Sequence, residues 1–339
     1  MAKMVKSSTA YAEPGKRLTS FEVCAGGGGL ALGMHQAGFD PVLLVDNNPD
    51  ACGTLSANMQ DWPVMLADFT DLDPAEHDQV YDVDVLVAGL PRVKATAAVA
   101  RPDGGEPELA LVKAAALLVT SVQPKALVIE NVPDLVTKEK YQGVRVYVEE
   151  WLRDLNYRCE WFVVNANEFG VPQDRKQGVL VALKGDGIDA FKLPVASGEP
   201  AGTVGGTLFE SMASQGWPQA EEWAAMASHV APTLVGGSEK RGGADLGPRG
   251  SKRAWERMGV NGGSLADELP DQDFRWDPAA GPRGMVRLTV AQAALLQGFP
   301  PDWRFVGRKT STYRQVGQSC PPPVGRALGE AVREALAVC

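Results

Sequence analysis

Cysteine and histidine are scarce in this chain. Its 339 residues hold five cysteines (Cys24, Cys52, Cys159, Cys320, Cys339) with no CxxC pairing, and three histidines (His35, His77, His229). The first scarcity excludes a disulfide framework and fits a reducing compartment; the second argues against a zinc centre, so no metal site is expected. There is no run of about 18 apolar residues, and the N-terminal MAKMVKSSTAYAEPGKR has no apolar core, so neither a membrane span nor a signal peptide is expected. The chain therefore reads as cytoplasmic, with residues 1–20 a flexible tail. Positive charge is short as well: 33 Lys and Arg against 42 Asp and Glu leave a net charge of −9. That is not the electrostatic footprint of a dedicated nucleic-acid binder. What is plentiful is apolar side chain, 45% of the total, enough for one large domain and a smaller one.

The apolar residues fall into runs whose order is informative. In FEVCAGGGGLALGMHQAGF a strand near Phe21–Cys24 enters the glycine loop 25–29, and a helix from about Leu30 to Ala37 ends at Gly38. Such a βα unit suits a nucleotide-like ligand, because glycines let the backbone approach it closely. A second strand, PVLLVD, ends at Asp46, roughly 20 residues beyond the glycines, where a carboxylate can accept from ribose hydroxyls. That spacing fits either a dinucleotide or S-adenosylmethionine (SAM).

DVLVAGLP (84–91) and KALVIENVP (125–133) are continuous apolar runs, as expected of parallel strands covered on both faces. Between them Leu109, Val112, Ala115, Leu118 and Val119 predict a helix over 108–121. The fold class predicted is α/β with a doubly wound, Rossmann-like sheet. Gly26–Gly29, Asp46, Asp68, Pro91 and Glu130 fall at strand C-terminal ends, the edge where open α/β sheets bind ligands. YRCEWFVVNA and GVLVALK are separated by too few residues for a crossover and should pair antiparallel. Pro321 to Val338 reads as a helix with Val324, Leu328, Val332 and Leu336 on one stripe.

The series of motifs resembles that of the cytosine-C5 DNA methyltransferases along nearly the whole chain. CAGGGGLALGMHQAGF matches their SAM-binding motif, and Glu130-Asn131-Val132 matches the motif that holds the target base. Gln173-Asp174-Arg175-Lys176-Gln177 keeps the first arginine of a Gln-x-Arg-x-Arg motif and has glutamine for the second. RLTVAQAALLQGFPPDW and YRQVGQSCPPPVGRAL resemble the last two motifs, with Gln318 in place of the usual asparagine. The resemblance implies SAM as cofactor, held by Phe21, Ala25, Gly27, Gly29, Asp46, Asn47, Asp68, Phe69 and Pro91. It implies a discontinuous methyltransferase domain over 21–189 and 286–339, with a target-recognition-like domain inserted at 190–285. In that insert Lys240, Arg241, Arg249, Lys252 and Arg253 become candidate phosphate contacts to double-stranded DNA. The tryptophans 217, 223, 255 and 276 are expected in its core.

One motif departs. Where the family has Gly-Pro-Pro-Cys-Gln, this chain has Gly89-Leu90-Pro91-Arg92-Val93. Family members add the cysteine thiolate to cytosine C6, which turns C5 into a carbon nucleophile for the SAM methyl group. A guanidinium stays protonated and offers no usable lone pair. Glu130, Arg92 and Arg175 are the residues expected at the catalytic position. The first expectation is a SAM-binding protein silent for cytosine methylation, acting through DNA or a protein partner. A second is a methyltransferase whose substrate is already nucleophilic, such as a small anion matched to Arg92 and Lys94. A third is ordinary cytosine methylation with a nucleophile from elsewhere, for which Cys24 and Cys320 are candidates.

Overall fold

The computed structural model describes residues 17–93, 106–196, 198, 201–236 and 243–338. Nine strands are numbered in chain order: β1 (Leu18–Val23), β2 (Phe39–Asp46), β3 (Val64–Leu66), β4 (Val85–Gly89), β5 (Ala126–Asn131), β6 (Tyr157–Asn165), β7 (Gln173–Asp174), β8 (Lys176–Lys184) and β9 (Ala231–Pro232). The helices are α1 (Gly29–Gln36), α2 (Pro49–Asn58), α3 (Glu106–Val122), α4 (Pro133–Thr137), α5 (Gln142–Asp154), α6 (Val204–Ala213), α7 (Ala220–Met226), α8 (Arg249–Arg257), α9 (Val290–Leu296), α10 (Lys309–Gln318) and α11 (Pro322–Leu336). Among the described residues no helix is long and apolar enough to cross a membrane.

Seven strands form one sheet in the order β3-β2-β1-β4-β5-β8-β6. Strands β1 to β5 run parallel, while β8 is antiparallel to both β5 and β6, as the short connection predicted. The continuous apolar runs have the expected cause: both faces of the sheet are covered. Along β5, Leu127 and Ile129 enter the layer beneath α3 and α5, and Ala126 and Val128 enter the layer that also holds α11 residues Val324, Leu328 and Val332. The predicted helix at 108–121 is α3, with its ends extended to 106 and 122.

Local signals set several ends. Asn48 caps α2 by accepting from the Asp50 N–H at 3.0 Å, with Pro49 opening the helix. Thr289 and Gln292 form a reciprocal capping box on α9, at 3.0 and 3.2 Å. α11 lies against α1 at a contact too close for side chains, since a Cβ on Gly33 would sit 2.5 Å from both Arg326 N and Pro322 O.

Beyond β8 the chain builds a region with little strand structure. Trp217, Trp223, Trp255 and Trp276 are all buried there, with Trp217 edge-on to Phe274 at 5.6 Å. Trp276 Nε1 donates to Gly259 O at 3.2 Å, over a residue whose φ of +67° and lack of a side chain make room for the indole. A short parallel pairing of β7 with β9 joins this region to the segment carrying Gln173 and Arg175.

Candidate active site

The first cluster is at the C-terminal ends of β1, β2 and β3. Gly26 N–H donates to Asp46 Oδ2 and Asn48 N–H to Asp46 Oδ1, both at 2.8 Å, so Asp46 latches the glycine turn to the end of β2. Burial raises the Asp46 pKa, against the opposing effect of these two backbone bonds. Each carboxylate oxygen keeps a second lone pair facing outward bonding. Asn47 Nδ2 donates to Asp68 Oδ2 at 3.3 Å, and Thr70 N–H and Oγ1 hold the other Asp68 oxygen and lower its pKa. These three polar residues rim the cluster, with Phe69 buried beside them.

Two sequence expectations change here. Gly27 and Gly29 were read as glycines that admit a ligand, yet the space a Cβ would occupy is already filled by protein. At Gly27 it would meet Phe305 at 2.9 Å and Ser319 Oγ at 3.0 Å; at Gly29 it would overlap the Cys320 carbonyl. Trp303 Nε1 also donates to Gly27 O at 3.1 Å. Gly26, with φ +54° and only the Cys24 carbonyl at 3.9 Å, is the glycine that leaves open space. Phe21 is the second correction: it is fully buried in the layer under the sheet and supports the loop from below. Ala25 is buried too, its N–H donating to Val45 O at 3.1 Å.

The second cluster surrounds Glu130 at the end of β5. Asn131 next to it acts as a clamp: its Oδ1 accepts from Val93 N–H at 3.0 Å, and its Nδ2 donates to Pro91 O at 3.2 Å. Held on both sides, residue 92 is aimed at Glu130. Arg92 Nη2 lies 3.7 Å from Glu130 Oε1, with the side chain about a quarter exposed. Gln177 Nε2 donates to the same oxygen at 3.2 Å and contacts Cys320 Sγ at 3.1 Å. Glu130 is 2% exposed, and burial raises its pKa against the opposing charges of Arg92 and Arg175.

Arg175, fully buried, donates to Leu234 O at 2.8 Å and to Gly317 O and Ser319 O at 3.0 Å. Burial and then the Arg92 charge pull its pKa down to about 9, which still leaves it protonated at neutral pH. Its position is therefore that of a brace behind Glu130. Cys320 is buried and its thiol is pushed far up, first by burial and then by Glu130. Cys24 is pushed up to about 12 by burial, then by Asp46 and Asp68. Both are neutral thiols in this structure.

Some functional residues escaped the sequence reading. The Asn131 clamp was visible only as part of a motif. Gln297 receives Gln173 Nε2 at 2.7 Å and donates to Ser319 O at 2.6 Å, joining the motif at 173–177 to the C-terminal segment. A glutamine inside the apolar run ALLQGF was the available signal. Among the basic candidates, Lys240 and Arg241 lie outside the described residues, as does Lys94. Arg249 and Arg253 are exposed on α8 with Arg257 one turn further on, while Trp255 buries the opposite side; Lys252 is paired with Asp245 at 3.1 Å. Beside them a cleft of about 260 Å³ is lined by Asp174, His229, Pro232, Ala254 and Arg257. Among the described residues no group of His, Cys, Asp or Glu is arranged to hold a metal ion.

Residues 18–334 match the family described as C-5 cytosine-specific DNA methylase. The type II methyltransferase M.NaeI of Lentzea aerocolonigenes is 41% identical over 319 residues, covering 93% of this chain and 74% of that protein. M.NgoMIV of Neisseria gonorrhoeae is 36% identical over 323 residues, covering 94% and 98%. In fold the chain is similar to the Dnmt2 methyltransferase of S. pombe, with a TM-score of 0.60 at 16% identity over 95% of this chain and 99% of that one. A DNMT2 variant of Spodoptera frugiperda gives 0.61 at 15% identity over 93% and 99%. These relatives overturn the expectation of a protein silent for cytosine methylation: M.NaeI and M.NgoMIV are methyltransferases by name and align along nearly the full chain. With its sheet, its Glu130 pocket and its match over residues 18–334, the chain belongs to the C-5 cytosine-specific DNA methylase family.

Proposed function

We propose that the protein is a SAM-dependent cytosine-C5 DNA methyltransferase of the modification type carried by M.NaeI and M.NgoMIV. The observation that carries this reading is the buried Glu130 carboxyl, hydrogen-bonded by Gln177 and facing the Arg92 and Arg175 charges, at the same sheet edge that carries the Asp46 cluster. Bound SAM supplies an electrophilic methyl group. Asp46, Asn47 and Asp68 would accept from its hydroxyl and ammonium donors, the open side of Gly26 would let it approach the turn, and Phe69 and Pro91 would flank its apolar part. Arg249, Lys252 and Arg253 are placed on one helix to contact phosphates, with residues 190–285 as the recognition region and 21–189 with 286–339 as the methyltransferase domain.

Glu130 recognises the Watson–Crick edge of an extrahelical cytosine. Protonated, its carboxyl donates to ring N3 while its other oxygen accepts from the exocyclic amine. Donation to N3 draws electrons from the ring and makes C6 easier to attack. With arginine at 92, the thiol on the base side is Cys320, linked to Glu130 through Gln177, and the thiol on the cofactor side is Cys24, with Asp46 and Asp68 as its charged neighbours.

The test is incubation with methyl-labelled SAM and unmethylated duplex DNA, followed by digestion to nucleosides. Labelled 5-methylcytosine is expected; its absence from DNA, with label in RNA or a small-molecule acceptor, overturns the reading. Two further outcomes follow. Because the Glu130 pKa is raised and the protonated form is the active one, kcat/KM falls as pH rises through that pKa, and Glu130→Gln removes this limb of the profile. Asp46→Ala weakens SAM binding about tenfold by calorimetry, a cost of about 1.4 kcal/mol; unchanged affinity excludes Asp46 from the cofactor site.

A further inference from the structure

The pocket around Glu130 holds polar atoms that nothing in the described structure satisfies. Arg92 Nε and Nη2 are buried without an acceptor, and Gln177 Oε1 is buried without a donor. The Arg92 to Glu130 contact, at 3.7 Å, is too long for a hydrogen bond. Buried donors and acceptors in native proteins are nearly always paired, so such a group of orphans marks a place completed by something else. The arrangement is specific in sign: two donors on the Arg92 side, and acceptors on the Glu130 and Gln177 side. Asn131 fixes the Arg92 loop from both flanks, so the guanidinium is presented and not merely tethered.

We propose that Arg92 is a base-binding residue: its Nε and Nη2 donate to the carbonyl oxygen O2 of a flipped cytosine whose amino edge is held by Glu130 and Gln177. The inference rests on reading this site as the base pocket. Cytosine presents an exocyclic amine at one end of its pairing edge and a carbonyl at the other. The amine meets Glu130 and Gln177 Oε1; the carbonyl then falls to Arg92, which faces Glu130 from a partly exposed position with two unpaired donors, whereas Arg175 is fully buried, commits both terminal nitrogens to Leu234, Gly317 and Ser319 and keeps only its Nε unpaired. A planar fork suits this better than a point charge. The arrangement also accounts for two departures from the family pattern together. Position 177, an arginine in the motif, is glutamine here, and the cation has moved to the facing loop at position 92.

The experiment uses the full-length protein with the demethylated form of SAM added, so that no transfer occurs. It is titrated by calorimetry with dCMP and, separately, with abasic deoxyribose 5-phosphate. For Arg92→Gln the dissociation constant for dCMP rises about tenfold while that for the abasic phosphate is unchanged, and Arg92→Lys lies between wild type and Gln. Retained binding of the abasic phosphate and of the cofactor product shows that the variant is folded. Equal dCMP affinity in Arg92→Gln and wild type overturns the proposal, as does an equal loss for both probes, which makes Arg92 a phosphate ligand, or no binding of dCMP to the unaltered protein. The enzymatic reading fails separately: Arg92-dependent dCMP binding without labelled 5-methylcytosine leaves the base contact standing and removes the proposed reaction.

Discussion

Replacing Arg92 with cysteine raises the rate of cytosine-C5 methyl transfer by about 100-fold or more, a barrier reduction of about 2.7 kcal/mol. The site is prepared for it. Asn131 holds the backbone of Pro91 and Val93, so residue 92 projects toward Glu130 whatever its side chain, and the smaller thiol leaves room for the base. A thiolate there would add to C6 and make C5 the nucleophile for the methyl group, whose bond to the sulfonium breaks; loss of the C5 proton to a base then expels the thiolate and restores the ring, so one hard step becomes several easier ones. The substitution also removes the donors to the base carbonyl, so KM for DNA rises while kcat rises more. Single-turnover transfer from labelled SAM separates the two effects. A kcat equal to that of the wild type, with cofactor affinity retained, would place residue 92 out of line with C6 and defeat the argument.

Gly33→Ala destabilises the fold by about 3 kcal/mol. The added methyl group would stand 2.5 Å from Arg326 N and Pro322 O and 2.6 Å from Gly325 C, all main-chain atoms of the opposing helix. A flexible side chain could swing away, but backbone inside a packed helix pair cannot, so α11 must lift off α1. The loss falls on the layer built from Leu30, Met34, Val324, Leu328 and Val332. Urea unfolding reads it as a lowered midpoint with little change in slope. A midpoint within error of the wild type would show that the helix contact yields cheaply.

The sheet was legible because covered parallel strands leave an unmistakable trace: VLVAG and ALVIEN carry no polar alternation, and the proline-led helix at the C-terminus shows its stripe directly. The site was legible in outline and not in orientation. Nothing local tells that Gly27 and Gly29 make room for Phe305, Ser319 and Cys320, because those partners lie almost 300 residues later in the chain. Likewise the acceptors of Arg175 are 59, 142 and 144 residues away. Phe21 was placed in the cofactor site because it sits in the right motif; strand alternation sends it, with Val23, to the layer under the sheet. Arg92 could be recognised as a change of chemistry from sequence, whereas its aim at Glu130 depends on Asn131 at the end of the adjacent strand.

The Arg175 brace has a consequence for synthesis. Two of its three acceptors, Gly317 O and Ser319 O, are made 142 and 144 residues after it, and the helix that covers α1 comes later still. A nascent chain that stops before residue 317 keeps only the Leu234 acceptor for this guanidinium and has a first βα unit bare on one side. It has the glycine turn, Asp46 and Glu130 in sequence, but not the closed pocket. A fragment released at that point therefore offers an uncovered α1 and an unclosed Glu130 pocket to proteases.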